Sequence, residues 1–280
     1  MGPAGRDPFP GSCCGKVTVV LTALGRFLRT GRGSGQVVAR VKPAMGYPLI
    51  VLGMHRSGTS FLTGSMQLAG LDLGNHSTAD KYNTKGNREN ADIVAFHNAV
   101  LTARGHAWND PPDKTGLIWT EEERDRASAL LAAYDQTGPW GFKDPRTLLM
   151  IDAWQALCPE ARYVGIFRSP GAVARSLGTR FKMPAAQAFA LWETYNRHLL
   201  ALHDKAPFPL FSFDEDEVRL HAKLNAVLPQ LGLTPLVQEV FFSPDLKHHD
   251  VPPEVIPEAG PEALPASAQV IYRALQARQC

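Results

Sequence analysis

The chain predicts an α/β fold: a central parallel sheet with helices on both of its faces. Three observations carry this. Continuous apolar runs at 48–54, 161–168 and 208–213 read as buried strands. Segments with helical spacing of apolar residues lie between them. Glycine, proline and polar clusters punctuate the transitions. Strands that alternate with helices are joined by crossovers, and crossovers make a parallel sheet. There is no internal repeat.

Each element has a local reason. The run at 48–54 ends at a glycine loop, and a helix is expected over 59–71 with Phe61, Leu62, Met66 and Leu68 on its buried face. Residues 72–89 are polar and rich in Gly and Asn, hence loop. Helices are expected over 89–104 and 121–134. A short strand at 140–143 is broken by Asp144-Pro145, and a helix at 147–157 is closed by Pro159. After the strand at 161–168, Pro170 opens a helix at its first position, where the missing N–H costs nothing; this helix runs through Ser176. A long helix follows over 185–203, then a strand at 208–213, a helix at 215–231, a Pro-rich stretch and a last helix at 267–277.

Composition bounds the function. The 280 residues, 44% hydrophobic, can bury a sizeable core. A formal net charge of +2 gives no global signal for nucleic acid. Its distribution is uneven: residues 1–45 hold seven Lys/Arg against one Asp, +6, so residues 46–280 carry −4. Residues 1–46 therefore read as a basic leader and linker, and 47–280 as the domain. Val17, Val20, Leu21, Leu24, Phe27 and Leu28 repeat at helical spacing among basic residues. That reads as a short packed helix or a poorly ordered leader, with a membrane-surface helix over 16–32 as the alternative. No apolar run approaches the roughly 18 residues of a transmembrane span, and a signal peptide fits badly because the charge follows the apolar stretch. The four cysteines, Cys13, Cys14, Cys158 and Cys280, have no metal or redox spacing. A reducing, cytoplasmic setting is expected.

In parallel sheets, ligands bind beyond the carboxyl ends of the strands. Residues 53–60, Gly-Met-His-Arg-Ser-Gly-Thr-Ser, follow the first strand there. A Walker A loop reads G-x-x-x-x-G-K-[ST]. Gly53, Gly58 and Ser60 have that spacing, but Thr59 stands where the lysine belongs and Arg56 appears inside the loop. Lys143 follows the second strand and Arg168 the third, where a Walker B strand would end in a magnesium-binding Asp. Three cations at one sheet edge, behind a glycine loop that opens a helix, define an anion site that meets negative charge directly, with no metal required.

These residues resemble the P-loop sulfotransferases that use PAPS (3′-phosphoadenosine 5′-phosphosulfate). Arg56-Ser-Gly-Thr-Ser60 is similar to their 5′-phosphosulfate loop, and Arg168-Ser-Pro-Gly-Ala-Val-Ala-Arg-Ser176 to their 3′-phosphate motif. Lys143-Asp-Pro-Arg146 resembles the K-D-P segment of the tyrosylprotein and bacterial branches, and Asn83-Thr-Lys-Gly-Asn-Arg-Glu-Asn90 the bacterial N-x-K-G-x-x-E-N segment. The likeness spans about 48–250 and implies a P-loop NTPase-like three-layer fold.

The resemblance also implies roles. Arg56, Ser57, Gly58, Thr59 and Ser60 would hold the 5′ end of PAPS or of its product PAP. Arg168 and Ser176 would hold the 3′-phosphate, with Arg180 as a further cofactor-binding arginine. Arg56 and Lys143 would stabilise the transferring sulfonyl group, and Glu89 would be the base, with Asp92 and His97 in reserve. The histidine base of animal cytosolic members falls at Pro145 and is absent. Lys247, beside His248-His249, could close the 3′-phosphate site, and Phe213 could lie against adenine. Trp192 and Tyr195 are expected in the core, and the acidic run 214–217 in the first turn of a helix. Residues 72–135, with Trp108, Trp119 and Tyr134, are expected to wall the acceptor site. The sequence does not fix the acceptor; a small-molecule, saccharide or lipid hydroxyl, or an amine, is expected. A kinase on a degenerate P-loop and a non-catalytic PAP-binding module remain as alternatives.

Overall fold

The computed structural model describes residues 46–76, 86–112, 117–236 and 264–280. The expected leader, the segment opening at Asn83, and Lys247 with His248-His249 lie outside these residues, apart from Gly46 and 86–90.

Four strands make one parallel sheet in the order β2-β1-β3-β4: β1 Leu49–Leu52, β2 Gly141–Lys143, β3 Arg162–Phe167 and β4 Leu210–Ser212. The strands are shorter than their apolar runs because pairing stops where the chain turns into the loops. Along β1 the side chains alternate between two cores. Leu49 and Val51 pack with α1 (Thr59–Leu68) and α7 (Glu217–Val227). Ile50 and Leu52 pack with α2 (Ala91–Thr102), α4 (Ile151–Leu157), α5 (Pro170–Phe181), α6 (Ala185–Lys205) and α8 (Ala266–Gln276). The second core also takes in Ala127 of α3 (Glu121–Ala132). This is the expected α/β architecture, helices on both faces of a parallel sheet.

Local chemistry sets the ends. Asn90 caps α2 by accepting from the N–H groups of Asp92 and Ile93, and Thr120 with Glu123 forms a capping box on α3. Asp144-Pro145 converts the expected helix start at 147 into a 3₁₀ turn, Pro145–Met150, ahead of α4. Three expectations are corrected. Leu68 is 48% exposed and lies off the buried stripe of α1. The helix after Pro170 continues past Ser176 to Phe181. In the acidic run only Asp216 caps α7, while Asp214 turns to the start of α5.

The topology opens a crevice. β1 feeds α1 on one face, and β3, its neighbour, feeds α5 on the other. The loops leaving these two strands therefore part, and the gap between them is the switch point where open α/β sheets bind ligands.

Candidate active site

The loop after β1 is shaped by its backbone. Gly58 has φ 89°, and a Cβ there would stand 2.4 Å from the Phe213 ring, so only glycine fits. Arg56 itself is held at φ 67°, a conformation non-glycine residues rarely adopt, and such strain clusters at functional sites. The Ser57 N–H bonds the Met54 carbonyl at 3.3 Å and is turned into the loop. The first-turn N–H groups of α1 have no intrahelical acceptor and point out of its end. An anion at this edge would meet the N–H groups of Gly58, Thr59 and Ser60 before that of Ser57, whose side chain is buried with no hydrogen-bond partner among the described residues.

A cavity of about 310 Å³ lies at this edge. Of the residues expected at the site, Arg56, Gly58, Thr59, Ser60, Glu89, Lys143, Arg168 and Arg180 line it, drawn from the ends of β1, β2, β3 and α5 and from the lead-in to α2. Ser57 and Ser176 stand behind it. Ser176 on α5 accepts a hydrogen bond from Arg56 Nε at 2.8 Å, so the β1 loop and the α5 helix touch through these two side chains. Phe213 also lines the cavity, against Gly58 and beneath Arg168, whose guanidinium carbon is 5.4 Å from the ring centroid.

In the cavity lining Lys143 Nζ meets Glu89 Oε1 at 2.9 Å, with the lysine 1% and the carboxylate 19% exposed. The candidate base and the candidate cation therefore share one hydrogen bond at the cavity wall. Arg168, which also lines the cavity, is half-buried. Its Nε is buried with no hydrogen-bond partner among the described residues, and burial pulls its pKa down, against the opposing charge of Asp214. A half-buried guanidinium whose Nε lacks an acceptor, beside a cavity, suits a bound phosphate.

The reserve bases do not reach the cavity. His97 is fully buried: its Nδ1 donates to Asp144 Oδ2 at 2.7 Å, and its Nε2 accepts from Trp154 Nε1 at 2.9 Å. Both ring nitrogens are occupied. Asp92 lies exposed on the opposite side of α2, bonded to Asn75 at 2.9 Å. Of the expected aromatic wall only Trp108 lines the cavity; Trp119 and Tyr134 are in the core, as are Trp192 and Tyr195.

Three residues were not singled out from sequence. Arg146 lines the cavity and pairs with the fully buried Asp144 at 2.7 Å. Burial pushes the Asp144 carboxyl up, but the His97 hydrogen bond and the Arg146 charge outweigh it and hold it well below the usual carboxylate range. His55, beside Arg56, packs its ring 4.5 Å from that of Trp108. Its pKa falls to about 3, first through burial and then through the charges of Arg146, Lys143 and Arg56, so the imidazole is neutral. Asp214 stands 3.9 Å from Arg168 Nε. The signals were present: His55 lies inside the loop, and Asp214 follows β4 much as Arg168 follows β3.

No protein-family model matches the chain, and no curated protein sequence does. Among solved structures it is similar to the sulfotransferase domain of the Synechococcus PCC 7002 olefin synthase, at 18% identity and a TM-score of 0.48 over 84% of this chain and 96% of that one. It is also similar to the sulfotransferase STF1 from Mycobacterium tuberculosis H37Rv, at 14% identity and a TM-score of 0.39 over 82% and 76% of the two chains. No helix among the described residues is long and apolar enough to cross a membrane.

Proposed function

We propose that the chain is a PAPS-dependent sulfotransferase that moves a sulfonyl group to a hydroxyl, or an amine, of a small-molecule, saccharide or lipid acceptor. One observation carries the reading. A single cavity at the carboxyl edge of the sheet is lined by a glycine loop with Arg56 in its middle, by the Lys143–Glu89 pair and by Arg168, whose Nε has no hydrogen-bond partner among the described residues. That is an anion site with cations from three strand ends and a carboxylate beside one of them.

The residues divide the work. Arg168, with Arg180 and Ser176, takes the 3′-phosphate. The loop from Gly58 to Ser60 takes the 5′-phosphate through N–H groups at the start of α1. When bound, PAPS supplies a sulfonyl group on a phosphate leaving group. Arg56 and Lys143 meet the charge that grows on the oxygens around the transferring sulfur. Glu89, fixed by Lys143, accepts the acceptor's proton. Phe213 offers a ring face to the base, and Trp108 walls the acceptor side.

Thermal unfolding with PAP, and separately with ATP and magnesium, tests the reading on wild type and Arg168→Ala. PAP at a hundredfold excess over its dissociation constant stabilises wild type by about 3 kcal/mol, and the gain is lost in the variant. A response to ATP with magnesium but not to PAP makes the chain a kinase on a degenerate P-loop. PAP binding without turnover on a broad acceptor panel makes it a binding module.

A further inference from the structure

Arg168 does not hold its own position. Its main chain is fixed: Trp192 Nε1 donates to its carbonyl at 3.0 Å, and the Phe213 N–H bonds the preceding carbonyl, that of Phe167, at 2.8 Å. Its guanidinium is bounded on one face by Phe213 at 5.4 Å and on its Nε edge by the Asp214 carboxylate at 3.9 Å. Nε is buried and makes no hydrogen bond among the described residues, so the attraction on that edge is charge alone.

The carboxylate is itself anchored. Oδ2 accepts from the Ser169 N–H at 2.6 Å and from the Tyr272 hydroxyl at 3.1 Å, and Oδ1 accepts from the Ser169 hydroxyl at 3.1 Å. Three donors, one of them from α8, hold it beside Arg168 and keep it from closing onto the guanidinium. A carboxylate free to swing would form a bidentate pair and occupy the terminal nitrogens. Held at 3.9 Å from Nε, it attracts that edge and makes no bidentate pair with Arg168, which lines the cavity.

We propose that Asp214 is a positioning residue for the 3′-phosphate. Anchored by Ser169 and Tyr272, it steadies Arg168 by its Nε edge so that the terminal nitrogens face the nucleotide. This rests on the reading that a 3′-phosphate binds at Arg168. A role confined to capping α5 predicts something different: loss of stability, with no preference among nucleotides.

Calorimetric titration with PAP and with AMP, which lacks the 3′-phosphate, separates these cases. Wild type binds PAP more tightly than AMP, and Arg168→Ala erases the difference. Asp214→Asn keeps an acceptor for the Ser169 N–H but removes the charge. It weakens PAP about tenfold and changes AMP less than about twofold. In the Arg168→Ala background Asp214→Asn has no further effect on the ratio. Tyr272→Phe, which leaves the carboxylate and the cap in place, shifts the same ratio in the same direction by about threefold.

A PAP/AMP ratio that Asp214→Asn leaves unchanged, or raises because repulsion of the phosphate dominates, overturns the inference. Equal weakening of both nucleotides overturns it in favour of the capping role. Should Asp214→Asn fail to fold, an unchanged ratio in Tyr272→Phe overturns it. If wild type itself binds PAP and AMP equally, the 3′-phosphate reading fails first, and this inference falls with it.

Discussion

Lys143 and Asp144 are adjacent in the chain and end in opposite situations. Asp144 is wholly buried, and its carboxylate accepts from His97, from the Arg146 guanidinium and from the Arg146 N–H. His97 is in turn closed off by Trp154. Lys143 is as deeply buried as a side chain, yet its one partner among the described residues is Glu89, at the cavity wall. Asp144 and His97 form a saturated buried core of this network, a scaffold whose polar atoms already have their partners, while Arg146 reaches from it to the cavity, where its Nε has no hydrogen-bond partner among the described residues. A pair with one member at a cavity can exchange partners when a ligand arrives. Position in the chain does not separate the two; saturation of hydrogen bonds does.

Removing one member from each cluster tests the contrast. Asp144→Ala strands the Arg146 guanidinium and a His97 N–H in the interior, and breaking a buried pair from one side costs about 3–5 kcal/mol. Denaturant unfolding measures this, and a loss under about 1 kcal/mol breaks the comparison. Glu89→Gln leaves Lys143 a neutral acceptor of similar shape. The transfer rate falls by about 10²–10⁴ if Glu89 is the base, while the unfolding midpoint and PAP affinity stay near wild type. A variant with wild-type rate removes Glu89 from that role.

The sequence shows the strands and their order of function because continuous apolar runs, punctuated by Gly and Pro, are read directly as buried strands. It shows three of the cavity's cations, Arg56, Lys143 and Arg168, because each stands at or just past a strand end, and parallel sheets place such residues on one edge. What stayed hidden depends on direction in space. Asp92 and His97 share a helix, and spacing alone does not say that one faces solvent and the other Trp154. Trp108, Trp119 and Tyr134 are alike as residue types, and only packing shows that one reaches the cavity. Asp214 reads as an acid in the first turn of the helix that follows it, but its carboxylate instead accepts from Ser169, just before α5 and across the sheet edge. Side-chain reach between elements carries no period in sequence.

His55 sharpens the comparison, because it lies between the two clusters and feels the cations of both. Its folded pKa is about 3 against an ordinary 6.5. A histidine lowered on folding binds fewer protons in the native state than in the unfolded one. Its contribution is therefore complete above pH 6.5 and is lost progressively as pH falls from there toward 3. The slope attributable to this one group approaches about 1.4 kcal/mol per pH unit. Unfolding free energies of wild type and His55→Gln, measured from pH 7 to pH 4.5, should converge as the pH falls. Parallel curves mean that His55 is already solvated in the native state.

The smallest effect belongs to Asp92, and its smallness is informative. Glu89 and Asp92 are three residues apart at the start of one helix, and both carry charge that suits the helix dipole. Glu89 touches Lys143 at the cavity; Asp92 touches Asn75 at the surface. If a carboxylate near this helix end mattered only through the dipole, the two would be interchangeable. If it matters through the cavity, Asp92→Asn changes the transfer rate less than about twofold and stability by less than about 0.5 kcal/mol, set against the large loss in Glu89→Gln. Equal losses in both variants would move the function from a shared hydrogen bond with Lys143 to the field at the end of α2.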